Sequence, residues 1–403
     1  MKIGFDATVL TRRSRTGVDR YAEEIIRHLI PLAPDDRFVL SYFVGDRDPG
    51  RRRDPVRTIA DDHPNVVVRP IRFPPLRWYR ALSARGVRLP FDLAARGRAD
   101  VYVFPDFVSW PIFSGRSIVV VHDLAFANRP EYVPPRLGRY LERAVPRSIA
   151  EAVGVAAVSE FTKRELVSAY GIDPDHVTVI PNGVDREHFF PRGRPEVEAV
   201  TSRLGIHQPY VLMTGTIEPR KNVVGLLEAF GALPAGLRDS HALVLAGSKG
   251  WLDEEIHRRA AALRSSGAEL VQPGYVDSTD LPALYSGAAA FVLPSHYEGF
   301  GIPVLEAMAC GAPVITSRNG ALPEVAGDAA ILVGTRDHGE LAAAIERVLS
   351  DPRLGSDLRA RGLERATRFS WEASAWALLE LIRRSVAGSR STGGNDPRGV
   401  VSS

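Results

Sequence analysis

Short apolar runs alternate along the whole chain with longer segments whose apolar residues recur every three or four positions. In the first half the runs lie at 2–7, 37–44, 65–71, 101–104, 117–121, 153–158 and 177–180. In the second half they lie at 210–214, 242–246, 269–272, 289–293, 312–316 and 330–333. They are short, rich in β-branched residues and mostly apolar without a break, the pattern of parallel strands buried on both faces. Helical periodicity fills 18–30, a segment from about 78, 135–149, 159–170, 303–309 and 371–386. Strands alternating with helices in two successive halves predict an α/β chain of two doubly wound parallel sheets facing each other. The expected domains are 1–190 and 191–370, joined by a Pro-bounded linker at 191–195. The segment 8–17 reads as a polar, flexible loop, and the Gly/Ser-rich end 388–403 is expected to be disordered.

Composition narrows this frame. A length of 403 residues is long for one core and fits two. The 45% hydrophobic and 25% charged content is that of a water-soluble globular protein. The lone Cys310 excludes an internal disulfide and reads as a small buried residue at a helix end rather than a nucleophile. With no disulfide framework and no signal peptide, the expected location is the cytoplasm.

Charge is uneven. Residues 1–190 carry 29 basic and 24 acidic side chains, and the remainder 22 and 24. The segment 72–98 is arginine-rich and includes Phe73, Trp78 and Tyr79. It reads as a solvated helix face, with contact to an anionic acceptor or the inner membrane surface as the functional alternative. No nucleic-acid motif accompanies these arginines, so nucleic acid is not an expected partner. Asp46-Arg47-Asp48 has the form of a metal-binding pair, but Pro49-Gly50 makes it a solvated turn.

The candidate chemistry sits at strand ends. After the run 289–293 comes Glu298-Gly299-Phe300-Gly301, then a helix with Pro303 near its start and Gly311 past its end. Glu298 lies in the loop and Glu306 about one turn inside the helix. The glycines permit close backbone approach, and the helix start offers N–H groups to an anion. After the run 210–214 comes Gly215-Thr216-Ile217-Glu218-Pro219-Arg220-Lys221-Asn222. A glycine, an arginine fork and a lysine point charge at a helix start suit a diphosphate. His122, followed by Asp123-Leu124, ends the run 117–121, and Asp123 either orients its ring or serves structure only.

EGFG-P-LEAMA-G-PV, with its two glutamates eight positions apart, resembles the signature of glycosyltransferase family 4. That family comprises retaining enzymes of the two-domain GT-B fold, in which Rossmann-like domains face an interdomain cleft. The resemblance extends along most of the chain and implies roles. Glu298 would bind donor-sugar hydroxyls and Glu306 the ribose, with Gly299, Phe300 and Gly301 lining the donor. Arg220 and Lys221 would stabilise the leaving diphosphate beside Gly215 and Thr216. Some members place the arginine directly after the glycine, where this chain has Thr216. His122 would stand beside the donor sugar, and Tyr275 and Val276, after Gly274, beside the base. Gly17-Val18-Asp19-Arg20-Tyr21 resembles the family's first glycine-rich loop, so Gly17, Arg20 and Tyr21 are placed on the acceptor side, with Asn182 near the hinge. The last helix would cross back onto the first domain.

GTIEPRKN together with HDL looks most like the family's mannosyltransferases. GDP-mannose is thus the first donor expected, with UDP- or ADP-sugars open and a glycan or lipid-linked hydroxyl as acceptor. No cofactor or metal is called for by these residues. Two rivals remain at the level of sequence: a GT-B nucleotide-sugar epimerase or phosphorylase, and a catalytically silent nucleotide-sugar-binding scaffold.

Overall fold

The computed structural model describes residues 1–12, 16–44, 55–73, 75–84, 87–251 and 254–387. The first sheet is built from β1 (Lys2–Asp6), β2 (Arg37–Phe43), β3 (Val66–Ile71), β4 (Val101–Phe104), β5 (Arg116–Val121), β6 (Gly154–Ala157) and β7 (Val177–Val179). Its order is β3-β2-β1-β4-β5-β6-β7. The second comprises β8 (Tyr210–Thr214), β9 (Ala242–Ala246), β10 (Glu269–Gly274), β11 (Ala290–Leu293), β12 (Val314–Ser317) and β13 (Ala330–Val333). Its order is β10-β9-β8-β11-β12-β13. The strand pairings are parallel throughout. The protein is therefore an α/β molecule of two Rossmann-like domains.

The strand order reverses between β1 and β4 in one sheet and between β8 and β11 in the other. At such a reversal the connecting helices leave to opposite faces, and a crevice opens at the carboxyl ends of the strands. β11 pairs with β8, Phe291 opposite Leu212. The loop after each of these strands thus opens beside the other. This puts the Gly215–Asn222 stretch next to the Glu298 loop, although nearly eighty positions separate them in the chain.

The helices that position the site are α1 (Gly17–Leu32), α2 (Glu160–Tyr170), α3 (Val223–Gly231), α4 (Leu281–Ser286), α5 (Ile302–Ala309) and α6 (Trp371–Ala387). A reciprocal cap between Thr16 and Asp19 starts α1. Ser159 caps α2 by accepting from the Thr162 N–H, and Gly171 closes it in a left-handed conformation. α6 packs along α1. The chain crosses between the domains twice, and the crossings touch: a Cβ on Gly183 would lie 2.3 Å from the Trp371 nitrogen.

Two local expectations change. Within 8–17, Thr8–Thr11 is a buried 3-10 turn, not a flexible loop. Val9 and Leu10 join the core, and the Thr11 hydroxyl donates to the Thr8 carbonyl at 2.8 Å. Within the expected linker, a helix begins at Arg194 and runs to Arg203. The predicted turn 46–50 and the tail 388–403 lie outside the described residues.

Candidate active site

Gly215 leaves β8 with φ +115°. Pro219–Lys221 forms one 3-10 turn, and Asn222, at φ 56°, starts α3. This brings Arg220 and Lys221 over the crevice. Arg220 Nη1 reaches Glu298 Oε2 at 2.9 Å, and its Nη2 reaches Glu218 Oε1 at 2.8 Å. Lys221 Nζ donates to Glu298 Oε1 at 2.6 Å, and Ser295 Oγ to the same oxygen at 2.8 Å. Glu298 therefore meets two cations and a hydroxyl. Burial would raise its pKa, but Arg220 and Lys221 outweigh burial and hold the carboxyl down at about 2. For Arg220, burial opposes the charge, yet the attraction of Glu298 and then Glu218 raises its pKa. Glu218, by contrast, is raised by burial against the pull of Arg220 and Lys221, and its Oε2 is buried without a hydrogen-bond partner.

Glu306 projects from α5 and is 4% exposed. Its Oε2 accepts from the Tyr285 hydroxyl on α4 at 2.8 Å, and Tyr285 Oη lies 2.8 Å from Thr214 Oγ1 at the end of β8. Its Oε1 is ion-paired with Arg20 of α1, across the domain boundary.

The other wall comes from the first domain. His122 follows β5, and its Nε2 lies 2.7 Å from the Pro105 carbonyl, which can only accept, so Nε2 carries the proton. Burial lowers its pKa, the Pro105 bond opposing, which favours the neutral ring. Asp123 does not hold this ring: its Oδ1 accepts from the Ala125 N–H at 2.9 Å. Asp123 is close enough in sequence to suggest an orienting role, but the strand has ended and its side chain caps the next turn. Tyr21 meets the His122 ring edge-on at 5.0 Å and Trp371 at 6.0 Å. Tyr21 and Asn182 are both buried, and Tyr21 Oη, Asn182 Oδ1 and Trp371 Nε1 have no hydrogen-bond partner.

The two walls meet. A Cβ on Gly299 would lie 1.8 Å from the His122 carbonyl oxygen, so no side chain fits there. Gly17 approaches Ile302, the first residue of α5, at 3.5 Å from its ideal Cβ. The Leu124 N–H donates to Tyr297 Oη at 2.9 Å, and Glu324 accepts from the Glu160 and Phe161 N–H groups at the start of α2. Phe300 is buried edge-on to Phe369, and Gly301 caps α5 at φ +102°. Thr216 follows Gly215, and its methyl lies 3.0 Å from the ideal Cβ position of Gly250. At the outer end of β10, Tyr275 is 59% exposed while Val276 is buried.

Sequence reading gave no role to Glu218, Ser295, Tyr285 or Tyr297. It also passed over a polar cluster at the reversal of the first sheet. There Arg12 is ion-paired with Asp106, and Asp6 accepts from the Trp110 indole at 2.8 Å. Phe107, with φ 60° for a bulky residue, turns the chain beside His122. Glu218 had a signal, its place two positions before the paired motif cations Arg220 and Lys221; the others become visible only when the sheet order is known.

The sequence matches the model of Glycosyltransferase Family 4 over residues 15–188 and that of Glycosyl transferases group 1 over residues 201–368. It is 33% identical over 377 residues to O-antigen chain mannosyltransferase B of Escherichia coli, covering 92% of this chain and 97% of that one. The chain belongs to glycosyltransferase family 4. Structural likeness agrees on the fold of this family 4 enzyme. Sucrose-phosphate synthase of Thermosynechococcus elongatus superposes with a TM-score of 0.73 at 21% identity, covering 96% of this chain and all of that one. Anabaena HepE, solved in complex with UDP and glucose, gives 0.69 at 18% identity over 95% and 99% of the two chains. The protein is thus a hexosyltransferase of the GT-B fold.

Proposed function

We propose that this glycosyltransferase is a retaining mannosyltransferase that uses GDP-mannose and extends a glycan or lipid-linked acceptor. The observation that carries it is the pair of half-buried Arg220 and buried Lys221 at the β8 end, ion-paired with Glu298 at the strand reversal. A diphosphate is the group that would take both cations from Glu298. The freed carboxylate then accepts hydroxyls of the donor sugar, while Glu306 accepts the ribose. As the glycosidic bond breaks, Arg220 and Lys221 stabilise the charge gathering on the leaving diphosphate. The acceptor attacks from the face the diphosphate leaves, and a phosphate oxygen takes its proton. His122 walls the sugar, and the contact of Gly299 with the His122 carbonyl excludes water, which would otherwise hydrolyse the donor. The 33% identity with a mannosyltransferase supports the sugar.

In this reading 1–190 is the acceptor domain, with 371–387 returned to it, and 191–370 the donor domain. The test is calorimetric titration with GDP, UDP and ADP, followed by GDP release from GDP-mannose in the presence of glycan. GDP is expected to bind tightest; failure of all three nucleotides to bind would overturn the donor site.

The reading includes a cytoplasmic enzyme docked at the inner membrane face. No helix among the described residues is long and apolar enough to cross a membrane. Phe73 and Trp78 are 82% and 58% exposed, and Arg72, Arg77 and Arg80 are exposed around them with no acidic residue between 72 and 80. An aromatic and cationic face of this kind suits an anionic lipid surface. The protein is expected to sediment with anionic vesicles and not with zwitterionic ones. Trp78→Ser with Arg77→Ser should abolish this, and equal sedimentation of that variant would remove the face from the account.

A further inference from the structure

Both carboxylates of the Glu298–Glu306 pair are held by cations, but the cations differ in origin. Those on Glu298 come from the same domain. The cation on Glu306 is Arg20, which belongs to the other domain and to the first turn of α1. Arg20 is itself seated: its guanidinium lies 4.7 Å over the Phe189 ring. Its Nη1 takes Glu306 Oε1, and Tyr285 takes Oε2. Glu306 is 4% exposed, with Arg20 on one oxygen and Tyr285 on the other, so ribose hydroxyls that reach Oε1 compete with Arg20 for it. Arg20 has other anions within electrostatic reach, Glu24 one turn along α1 and Asp185 in the crossing segment.

We infer that Arg20 is a gate on the ribose carboxylate: it pairs with Glu306 across the domain boundary and must turn aside before the ribose hydroxyls of the donor can take its place on Oε1. The inference rests on the reading of Glu306 as the ribose ligand. Donor entry is then an exchange of partners. The ribose hydroxyls replace Arg20 on Oε1, and Arg20 moves to Glu24 or Asp185. A ligand that must displace an internal ion pair binds more weakly by the free energy of that pair. The gate therefore sets how much the protein gains from a ribose, in contrast to the gain from the diphosphate, which is drawn from the Glu298 side.

The test is titration of the full chain with whichever of GDP and UDP the wild type binds more tightly, and with its 2′,3′-dideoxy analogue. Arg20→Gln should bind the ribonucleotide about fivefold more tightly, the upper range for a partly exposed ion pair. It should bind the dideoxy analogue as the wild type does, and Arg20→Lys should return the ribonucleotide affinity toward that of the wild type. Weaker ribonucleotide binding in Arg20→Gln would show that Arg20 supports the ribose and overturn the gate. An equal change for both nucleotides would overturn it too, as an effect unrelated to ribose. Glu306→Gln separates the underlying reading: if it leaves ribonucleotide affinity unchanged while Arg20→Gln raises it, the ribose assignment of Glu306 fails and the gate on it with it. If Glu306→Gln weakens ribonucleotide binding and Arg20→Gln has no effect, only the gate fails.

Discussion

Arg220→Ala is expected to lower the turnover number for sugar transfer by about a hundred- to a thousandfold at saturating donor, the usual effect of removing one donor to a developing anion. Arg220 presents a planar fork, which Lys221 cannot replace because an ammonium is a compact point charge. The effect should fall on turnover more than on donor affinity. The diphosphate is charged before reaction, but it gains a further charge as the sugar leaves, and the fork acts most strongly on that increment. Arg220→Lys should recover part of the rate, since it restores charge without the fork. Arg220 also separates Glu218 from Glu298, so each variant should be checked for an intact unfolding transition. Rates followed by nucleoside diphosphate release decide the matter: an unchanged turnover number in a folded Arg220→Ala protein would return the residue to a structural ion pair.

Glu298→Ala is expected to cost about 3–5 kcal/mol of stability, because it strips the buried Lys221 and the half-buried Arg220 of their shared anion. Arg220 keeps Glu218, so Lys221 is the group left exposed to the loss. Adding nucleoside diphosphate should return more stability to this variant than to the wild type, since phosphate oxygens replace the missing carboxylate. The same pair sets an acid limb. The folded pKa of Glu298, about 2, lies below its ordinary value of 4.5. A depressed carboxylate stabilises the fold above the unfolded pKa, and that contribution is lost as pH falls from about 4.5 toward about 2, on the order of 3 kcal/mol in all. Denaturant unfolding across this range, compared between wild type and Glu298→Gln, should show the slope in the wild type and a flatter profile in the variant. Parallel profiles would mean that Glu298 is not the group responsible.

Much of this site was legible before any coordinates, for a reason that can be stated. A parallel strand is an apolar run, and the polar residues that follow it must sit at the sheet's carboxyl edge. Arg220, Lys221, His122 and Glu298 were therefore placed at strand ends by pattern alone. That β8 and β11 lie side by side follows from the reversal of strand order, which a doubly wound sheet makes reasonable but a single sequence does not specify. The contact between Arg20 and Glu306 spans 286 positions and two domains, and no local pattern reports it. Asp123 shows how little adjacency decides, since its place beside His122 fits either an orienting or a purely structural role. The structural role holds: Asp123 caps the next turn, and a carbonyl 17 positions away, at Pro105, holds the His122 ring. Thr8–Thr11 has the polar pattern of a loop because its two threonines mask a buried turn whose hydroxyls are satisfied locally.

The last helix has a consequence for how the chain is made. α6 covers α1, yet it is synthesised after every strand of the second sheet. On the ribosome the first sheet emerges complete while the apolar flank of α1 still lacks its cover. At ordinary elongation rates the missing helix follows roughly 10–40 seconds later. During that interval the second sheet, whose strands are contiguous in the chain, can complete its own core. The domain that is begun first is thus the one finished last, and its uncovered flank is the part of the nascent protein that a chaperone would have reason to shield.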